Sequence, residues 1–358
     1  MSFISNFVND YGKLKRITLT DIANKLKLTP ATVSRALSNH PEISAKTKKL
    51  VKETAEALDY KRNNIASSLR SGKSHVIGVL IPTAEHTFFG SVIHGIANLA
   101  NRNGYDVLIY QSNETEEFEI KGIDAFISAR VDGILVSIAK HTRDFSHFKK
   151  AQQENIPIAF FDRNNDDLGI PSVVIDDYLG AFKATESLLE QGYTRIAHIS
   201  GPLHSKIFKE RLRGYAAALD IHNISFDSSL VYEGDVSIEA GQQGIESFMS
   251  LDNPPDAVFA VEDITALGAI KELKKRNILV PEEVGVFGFC NDMFGEHISP
   301  SLSTIDQQTI KMGEEAFNLI FNIISGVNLI TSTPKVILEP IVVIRGSSVR
   351  NALKTKYS

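Results

Sequence analysis

From His75 onward the chain repeats one unit, a short apolar run followed by an amphipathic stretch. "HVIGVLIP", "YDVLIYQS", "DGILVS", "PIAFFDR" and "SVVIDD" read as strands. "FFGSVIHGIANLANRNG", "EFEIKGIDAFISARV" and "FSHFKKAQQENI" between them read as helices. A second series starts at Gly180 with "GAFKATESLLEQGY", "RIAHISG", "KERLRGYAAALDIHN" and "SLVYEGD". It continues with "IEAGQQGIESFMSL", "DAVFAVED", "ALGAIKELKKRNI" and "VGVFGFCN". Strands that alternate with helices imply parallel sheets covered on both faces, because each parallel connection must cross back over the sheet. The expected fold class is therefore α/β, with two lobes. Ligands of open α/β sheets sit beyond the carboxyl ends of the strands, so two facing lobes make a cleft. At 358 residues there is length for such a pair and a further domain.

The strand ends nominate the cleft residues. Phe88 and Phe89 open a helix and offer apolar faces for stacking on a sugar ring or base, or are simply core. Asp162 and Arg163 end "PIAFFDR", as a ligand-binding pair or a surface turn. Arg211 lies in "KERLRGY", Glu262 and Asp263 end "DAVFAVED", and Cys290 and Asn291 end "VGVFGFCN". Carboxylates and a guanidinium give bidentate hydrogen bonds to vicinal hydroxyls, which suits a polyol. Cys290 is the only cysteine, so no internal disulfide forms, as in a reducing compartment. It reads as a small buried filler, since a reactive thiol needs a lowered pKa. Gly-x-Ser-x-Gly, Gly-x-Gly-x-x-Gly and Walker patterns are missing, and His141, His147 and His204 lack metal-ligand spacing. No catalytic residue, metal or cofactor is assigned. Glu262 and Asp263 make a poor acid–base pair, since neighbours on a strand point to opposite faces.

The start of the chain is different. Between Lys13 and Lys73 stand fourteen Lys and Arg against five Asp and Glu, in a chain whose net charge is −5. A basic head on an acidic body suits a polyanionic partner, or is a solvated helical face. "RITLTDIANKLKLTPATVSRALSNHPEISAKTKKLVKETAEALDY" reads as three helices. Thr18 caps the first at capping-box spacing from Asp21, and Ile22, Ala23 and Leu26 share one side. Thr29 caps the second, Pro30 suits its first position, and Val33 and Leu37 face inward. Ser44 caps the third, whose Leu50, Val51, Thr54 and Leu58 are expected to point at the other two. Two short helices joined by a tight turn and braced by a third make a helix-turn-helix. Small residues at the tip of the second helix permit close approach to a major groove. There Ala31 and the Thr32 methyl meet thymine methyls, and Arg35 reaches guanine or a phosphate.

The order of residues goes further. Thr18-Leu19-x-Asp21-Ile22-Ala23, Thr32-Val33-Ser34-Arg35-x-Leu37 and Ile43-Ser44-Ala45-Lys46-Thr47 resemble the headpiece of the lactose-repressor (LacI/GalR-type) family of bacterial transcription regulators. The resemblance runs from about Arg16 to Ser348. It implies that Pro30 and Ala31 choose the operator, with Thr18, Thr29, Ser34 and Asn39 among the DNA contacts. After Tyr60, "KRNNIASSLRSGKS" matches the family's hinge helix, too short to be stable alone. In that match Leu69 wedges between base pairs, Ala66 lies at the contact with its twin, and Asn63 and Arg70 meet the backbone. Arg62 stands where the family commonly has Pro, which adds a charge and removes a stiff turn. The body resembles a type I periplasmic-binding-protein-like core, crossed between lobes near Ile175, Thr304–Gln307 and Glu339–Pro340. Arg211 matches the family's effector-binding arginine. Two departures touch the same site: Gly288-Phe289-Cys290 replaces "G-Y-D", and Glu262-Asp263 replaces "N-D". A thiol is no carboxylate acceptor, so that role passes to Glu262 or the ligand differs from the usual hexoses.

The expected layout is an extension at 1–15, a DNA-binding domain at 16–62, and a hinge and linker at 63–73. The effector-binding and dimerisation core spans 74–348, with one lobe about 74–175 and 307–339 and the other about 176–304 and 340–348. A tail occupies 349–358. The expected function is a transcription regulator of repressor type, a homodimer on a pseudo-palindromic operator, controlled by a small-molecule effector, a sugar, between the lobes. No run is long and apolar enough for a membrane and the start is a poor signal peptide, which places the protein in the cytoplasm, on the nucleoid when DNA-bound. A sugar-binding receptor sharing the body would need an export signal and no basic head.

Overall fold

The computed structural model describes residues 17–60, 73–327 and 334–350. The hinge residues Asn63, Ala66, Leu69 and Arg70 lie outside the described residues. Two compact units divide at Gly72–Lys73.

The small unit holds α1 (Leu19–Leu26), α2 (Pro30–Leu37) and α3 (Ala45–Ala57). The expected caps are present. Thr18 Oγ1 accepts from the Asp21 amide while the Asp21 carboxylate accepts from the Thr18 amide, a full capping box. Thr29 and Ser44 accept from the amides of Thr32 and Thr47. Ile22, Ala23, Val33, Ala36, Val51 and Ala55 form the core. Leu50 is a correction: it is 47% exposed, because α3 turns Val51 and Ala55 inward.

The large unit begins with β1 (Val76–Ile81), α4 (Thr87–Arg102), β2 (Asp106–Gln111), α5 (Glu116–Ala129), β3 (Gly133–Val136), α6 (Ser146–Gln153), β4 (Ile158–Phe161) and β5 (Ser172–Ile175). There follow α7 (Asp177–Glu190), β6 (Ile196–Ser200), α8 (Lys206–Ile221), β7 (Val231–Glu233), α9 (Ile238–Met249), β8 (Ala257–Ala260), α10 (Asp263–Lys275) and β9 (Gly285–Phe287). The chain ends with β10 (Thr304–Asp306), α11 (Thr309–Ile324), β11 (Lys335–Leu338) and β12 (Ile341–Val343). All nine strands read from the sequence are there. The sequence reading did not assign β10, β11, β12 or α11.

One sheet has the order β11-β5-β4-β3-β1-β2 and the other β7-β6-β8-β9, both parallel throughout. In the first, Ile77, Val79, Leu135, Ala159 and Phe161 face α4 and α11. The alternate residues Leu80, Ile134, Val136, Ile158 and Phe160 face α5 and α6. This period-2 division with both faces buried explains the continuous apolar runs. The chain leaves the first sheet after Ile175, returns to it with α11 after Asp306, and leaves again after Leu338. Antiparallel pairing of β10 with β12 binds two of these passages together. Among the described residues no helix is long and apolar enough to cross a membrane.

Paired helices meet at glycine. A Cβ on Gly313 of α11 would stand 2.0 Å from the Val92 carbonyl oxygen of α4, and one on Gly95 of α4 would stand 2.2 Å from that of Ile310. Backbone on both sides leaves no side chain free to yield. Gly313→Val should therefore lower the unfolding free energy of the large unit by roughly 2 kcal/mol or more, read as a lower urea midpoint. Gly90→Ala, on the open side of the same α4, should be neutral or slightly stabilising.

Candidate functional site

On the small unit, Thr18, Thr29, Pro30, Ala31, Arg35 and Asn39 are exposed and Thr32 is half-buried. Pro30 and Ala31 open α2 behind the Thr29 cap, so its tip is free of bulk. Among the described residues Arg35 pairs with Glu42 alone, at 3.5 Å, with its side chain 57% exposed. A pair so open is weak and leaves the guanidinium available. Ser34 is a correction: it is 8% exposed and packs on the inner side of α2.

In the large unit the carboxyl ends of both sheets frame a cleft, and Arg211 is its anchor. It is 1% exposed. Its Nε and Nη2 each stand 2.8 Å from Asp177 Oδ1, and Nη1 donates to the Val261 carbonyl at 2.6 Å. The Phe289 ring lies 3.7 Å under the guanidinium, a cation–π contact. Asp177 is the first residue of α7, at the end of "SVVIDD", where nothing in the sequence marks it as a partner of Arg211. Burial pushes its carboxyl up to about 6 against the pull of Arg211.

Asp162 follows β4 with φ 59°, 7% exposed, and accepts from Ser137 Oγ at 3.2 Å. Burial raises its pKa against Arg163 and Arg211. Arg163 donates through Nη1 to both oxygens of Glu114, at 3.0 and 2.7 Å. For Glu114, burial works upward, but Arg163 and the Lys140 amide hold it below the usual range. Glu262 comes from the opposite lobe. It precedes α10 and makes no capping bond. His86 Nδ1 stands 3.9 Å from its Oε2, and its side chain is 16% exposed. Burial brings it up to about 7, against Arg211 and Arg163. Asp162 and Glu262 are thus acceptors from opposite lobes, both within the field of the two arginines.

Other predicted residues do different work. Phe88 and Phe89 are 7% and 2% exposed, edge to face at 5.0 Å in the core, so Phe89 is core and no stacking surface. Glu262 and Asp263 are not on a strand, since β8 ends at Ala260. Both oxygens of Asp263 are used, by Thr304 Oγ1 at 2.6 Å and the Asp292 amide at 2.7 Å. Gly288 makes room for it: a Cβ there would lie 2.2 Å from Asp263 Oδ1. The Asn291 amide donates to Asp306 and accepts from Arg345, so it braces β10 rather than the cleft. Cys290 is buried, and burial followed by Asp292, Asp263 and Glu262 pushes its thiol well up, which makes it an inert filler.

Contacts also join the lobes directly. Thr87 Oγ1 donates to Asp292, Lys140 Nζ pairs with Asp235 at 2.6 Å, and the Lys140 carbonyl accepts from His204 Nε2 at 2.7 Å. Lys206 pairs with Asp166. Beside these lies a cavity of about 530 Å³, lined by Lys140, Arg143, Arg163, Asp166, His204 and Lys206 among others.

Residues 18–63 match the model of bacterial regulatory proteins of the lacI family. Residues 74–345 match that of periplasmic binding proteins and the sugar-binding domain of the LacI family, most of the chain. The chain belongs to the LacI family. Among its LacI-family relatives, the HTH-type transcriptional repressor CytR of Escherichia coli K12 is 32% identical, over 92% of this chain and 96% of that one. Catabolite control protein A of Priestia megaterium is 29% identical, over 85% and 91%. Among solved structures, a transcriptional regulator CelR–cellobiose complex aligns with a TM-score of 0.70 at 26% identity, covering 93% of this chain and all of that one. The lac repressor dimer bound to operator and the anti-inducer ONPF aligns at 0.84, with 23% identity and 94% and 100% coverage. This LacI-family chain is a DNA-binding transcription regulator of the repressor type with a small-molecule effector domain, and its relatives are repressors, not enzymes.

Glu262 gives the cleft a pH signature. Below about its unfolded value of 4.5 the group is protonated whether the chain is folded or not. From there to about 7 only the unfolded chain ionises, so this group makes stability fall as pH rises; above about 7 the penalty is complete. Glu262→Gln should raise the melting temperature little at pH 5 and by roughly 3 °C at pH 7.5, with no further gain above that.

Proposed function

We propose that this protein is a homodimeric repressor of a pseudo-palindromic operator, and that a polyol, a sugar, bound between the lobes sets its grip on DNA. The carrying observation is the convergence of Arg211, Asp162, Arg163 and Glu262 from two lobes onto one cleft. Acceptors from both sides suit a ligand rich in hydroxyl donors. The cellobiose named with the CelR structure supports a saccharide. In the small unit, Thr29, Pro30 and Ala31 approach the major groove, Thr32 offers its methyl, and Arg35 reads guanine or holds phosphate. Thr18 and Asn39 add contacts. The segment 63–73 folds on DNA, with Leu69 as wedge, Ala66 at the contact between twins, and Asn63 and Arg70 on the backbone. A ligand acts only by binding one lobe arrangement better than another.

The test pairs two variants on an operator selected from a randomised duplex pool, with the effector found by a thermal-shift screen of mono- and oligosaccharides. Arg35→Ala should weaken operator binding about 10- to 100-fold, one lost base or phosphate contact. Arg211→Ala should leave operator binding within about twofold and abolish the effector response. Unchanged operator binding by Arg35→Ala removes the assignment of α2. A full effector response in Arg211→Ala removes the cleft.

A further inference from the structure

Within the cleft the cations are answered and the acceptors are not. Arg211 is held by Asp177, with Nε and Nη2 each 2.8 Å from one carboxylate oxygen. Arg163 is held by both oxygens of Glu114. Each guanidinium therefore has a carboxylate from its own lobe. Asp162 and Glu262, one from each lobe, are left over. Glu262 makes no side-chain hydrogen bond among the described residues, and the His86 ring at 3.9 Å is too far to make one. Asp162 and Asp292 act on Glu262 as like charges, which adds to the effect of burial.

Asp162 carries an independent sign of a ligand. It is 7% exposed. Its Oδ2 accepts from Ser137 and stands 3.9 Å from Arg163 Nε. Its Oδ1 has no hydrogen bond among the described residues, yet it remains open to solvent. A carboxylate so far buried with an oxygen unused is costly, and a donor supplied by a ligand removes that cost. Hydroxyl donors would satisfy the oxygens but leave two like charges uncompensated in a poorly hydrated site. An ammonium group supplies three N–H donors from one atom together with the missing charge. Burial raises both carboxyls, and a cation beside them restores their ionised form. Glu262 stands where the family pattern has an amide, and of the two only the acid favours a cation.

We propose that the effector is an amino sugar whose protonated amine is recognised by Asp162 and Glu262 together. This rests on the cleft being the effector site. Arg211 and Arg163, each already paired, carry little net charge to oppose a cation there. Because the two carboxyls belong to opposite lobes, the ammonium group ties one lobe to the other through charge-assisted bonds, which a neutral hydroxyl does more weakly.

The test uses full-length protein at constant ionic strength and about pH 7, with calorimetric titration as the readout. The probes are glucosamine, galactosamine and mannosamine, each beside its parent hexose and its N-acetyl derivative. Acetylation keeps the nitrogen and removes the charge. At least one amino sugar should bind tenfold or more tighter than both of its neutral counterparts. Glu262→Gln, which keeps the shape and removes the charge, should cut that preference about tenfold. Asp162→Asn, whose amide residue tolerates the φ of 59°, should do the same. A neutral sugar that binds as tightly as its amine in every set overturns the proposal and leaves the sugar cleft standing. An amine preference unchanged in both variants also overturns it, since the amine then lies elsewhere. Saturable binding by none of these sugars, with operator binding intact on the same samples, overturns the proposal together with the saccharide reading beneath it.

Discussion

A guanidinium at 1% exposure is tolerable only when its charge and N–H groups are answered, and the answers given to Arg211 tie three parts of the fold together. Asp177 opens the first helix after the chain leaves β5 for the second lobe. The Val261 carbonyl follows β8, and Phe289 follows β9. The arginine therefore sits where one lobe crossing and two strand ends meet. Its geometry is set by packing, with Phe289 against one face and α7 against its edge. A ligand placed beside it meets a charge whose position was fixed by folding, which lowers the ordering cost of binding.

The two lobes are also held to each other by polar contacts. The lobes are joined by Lys140–Asp235, Thr87–Asp292, Lys206–Asp166 and the His204 bond to the Lys140 carbonyl. These lie around the rim, where water competes for them, so each contributes modestly. Glu262 feels the charge of Asp162 from the other lobe, and burial raises both carboxyls. Bringing the lobes together without a ligand keeps both carboxyls from water and favours their neutral form. Donors between them remove that penalty, and the gain depends on lobe separation, which is the differential affinity that linkage requires.

Much of this was legible in the sequence because the signals were local. Short continuous apolar runs between helices marked nine strands, and the Thr18–Asp21, Thr29 and Ser44 caps marked the three head helices. Arg211 stood out by its match to the family's effector-binding arginine in "KERLRGY". What was missed depended on partners distant in the chain. Three-residue β10 and β12 exist because they pair with each other, and β11 because it completes the edge beside β5. Asp177 acquires its role only through Arg211, and Glu114 only through Arg163. The helix α11 was readable: Met312, Ala316, Phe317 and Ile320 are all buried at helical spacing. Asp263 and Asn291 misled because a polar residue at a strand end serves a ligand and a neighbouring loop equally well, and sequence shows neither partner.

The departures at the strand ends now have a physical order. Cys290 is buried with its thiol held protonated, so it supplies no anionic acceptor. Asp263 has both oxygens committed to Thr304 and Asp292, and its place next to Gly288 is fixed by the room that glycine leaves. The acceptor work of that lobe therefore falls to Glu262, whose carboxylate lacks a capping bond. A carboxylate there, opposite Asp162, makes the inner cleft more acidic than an amide would.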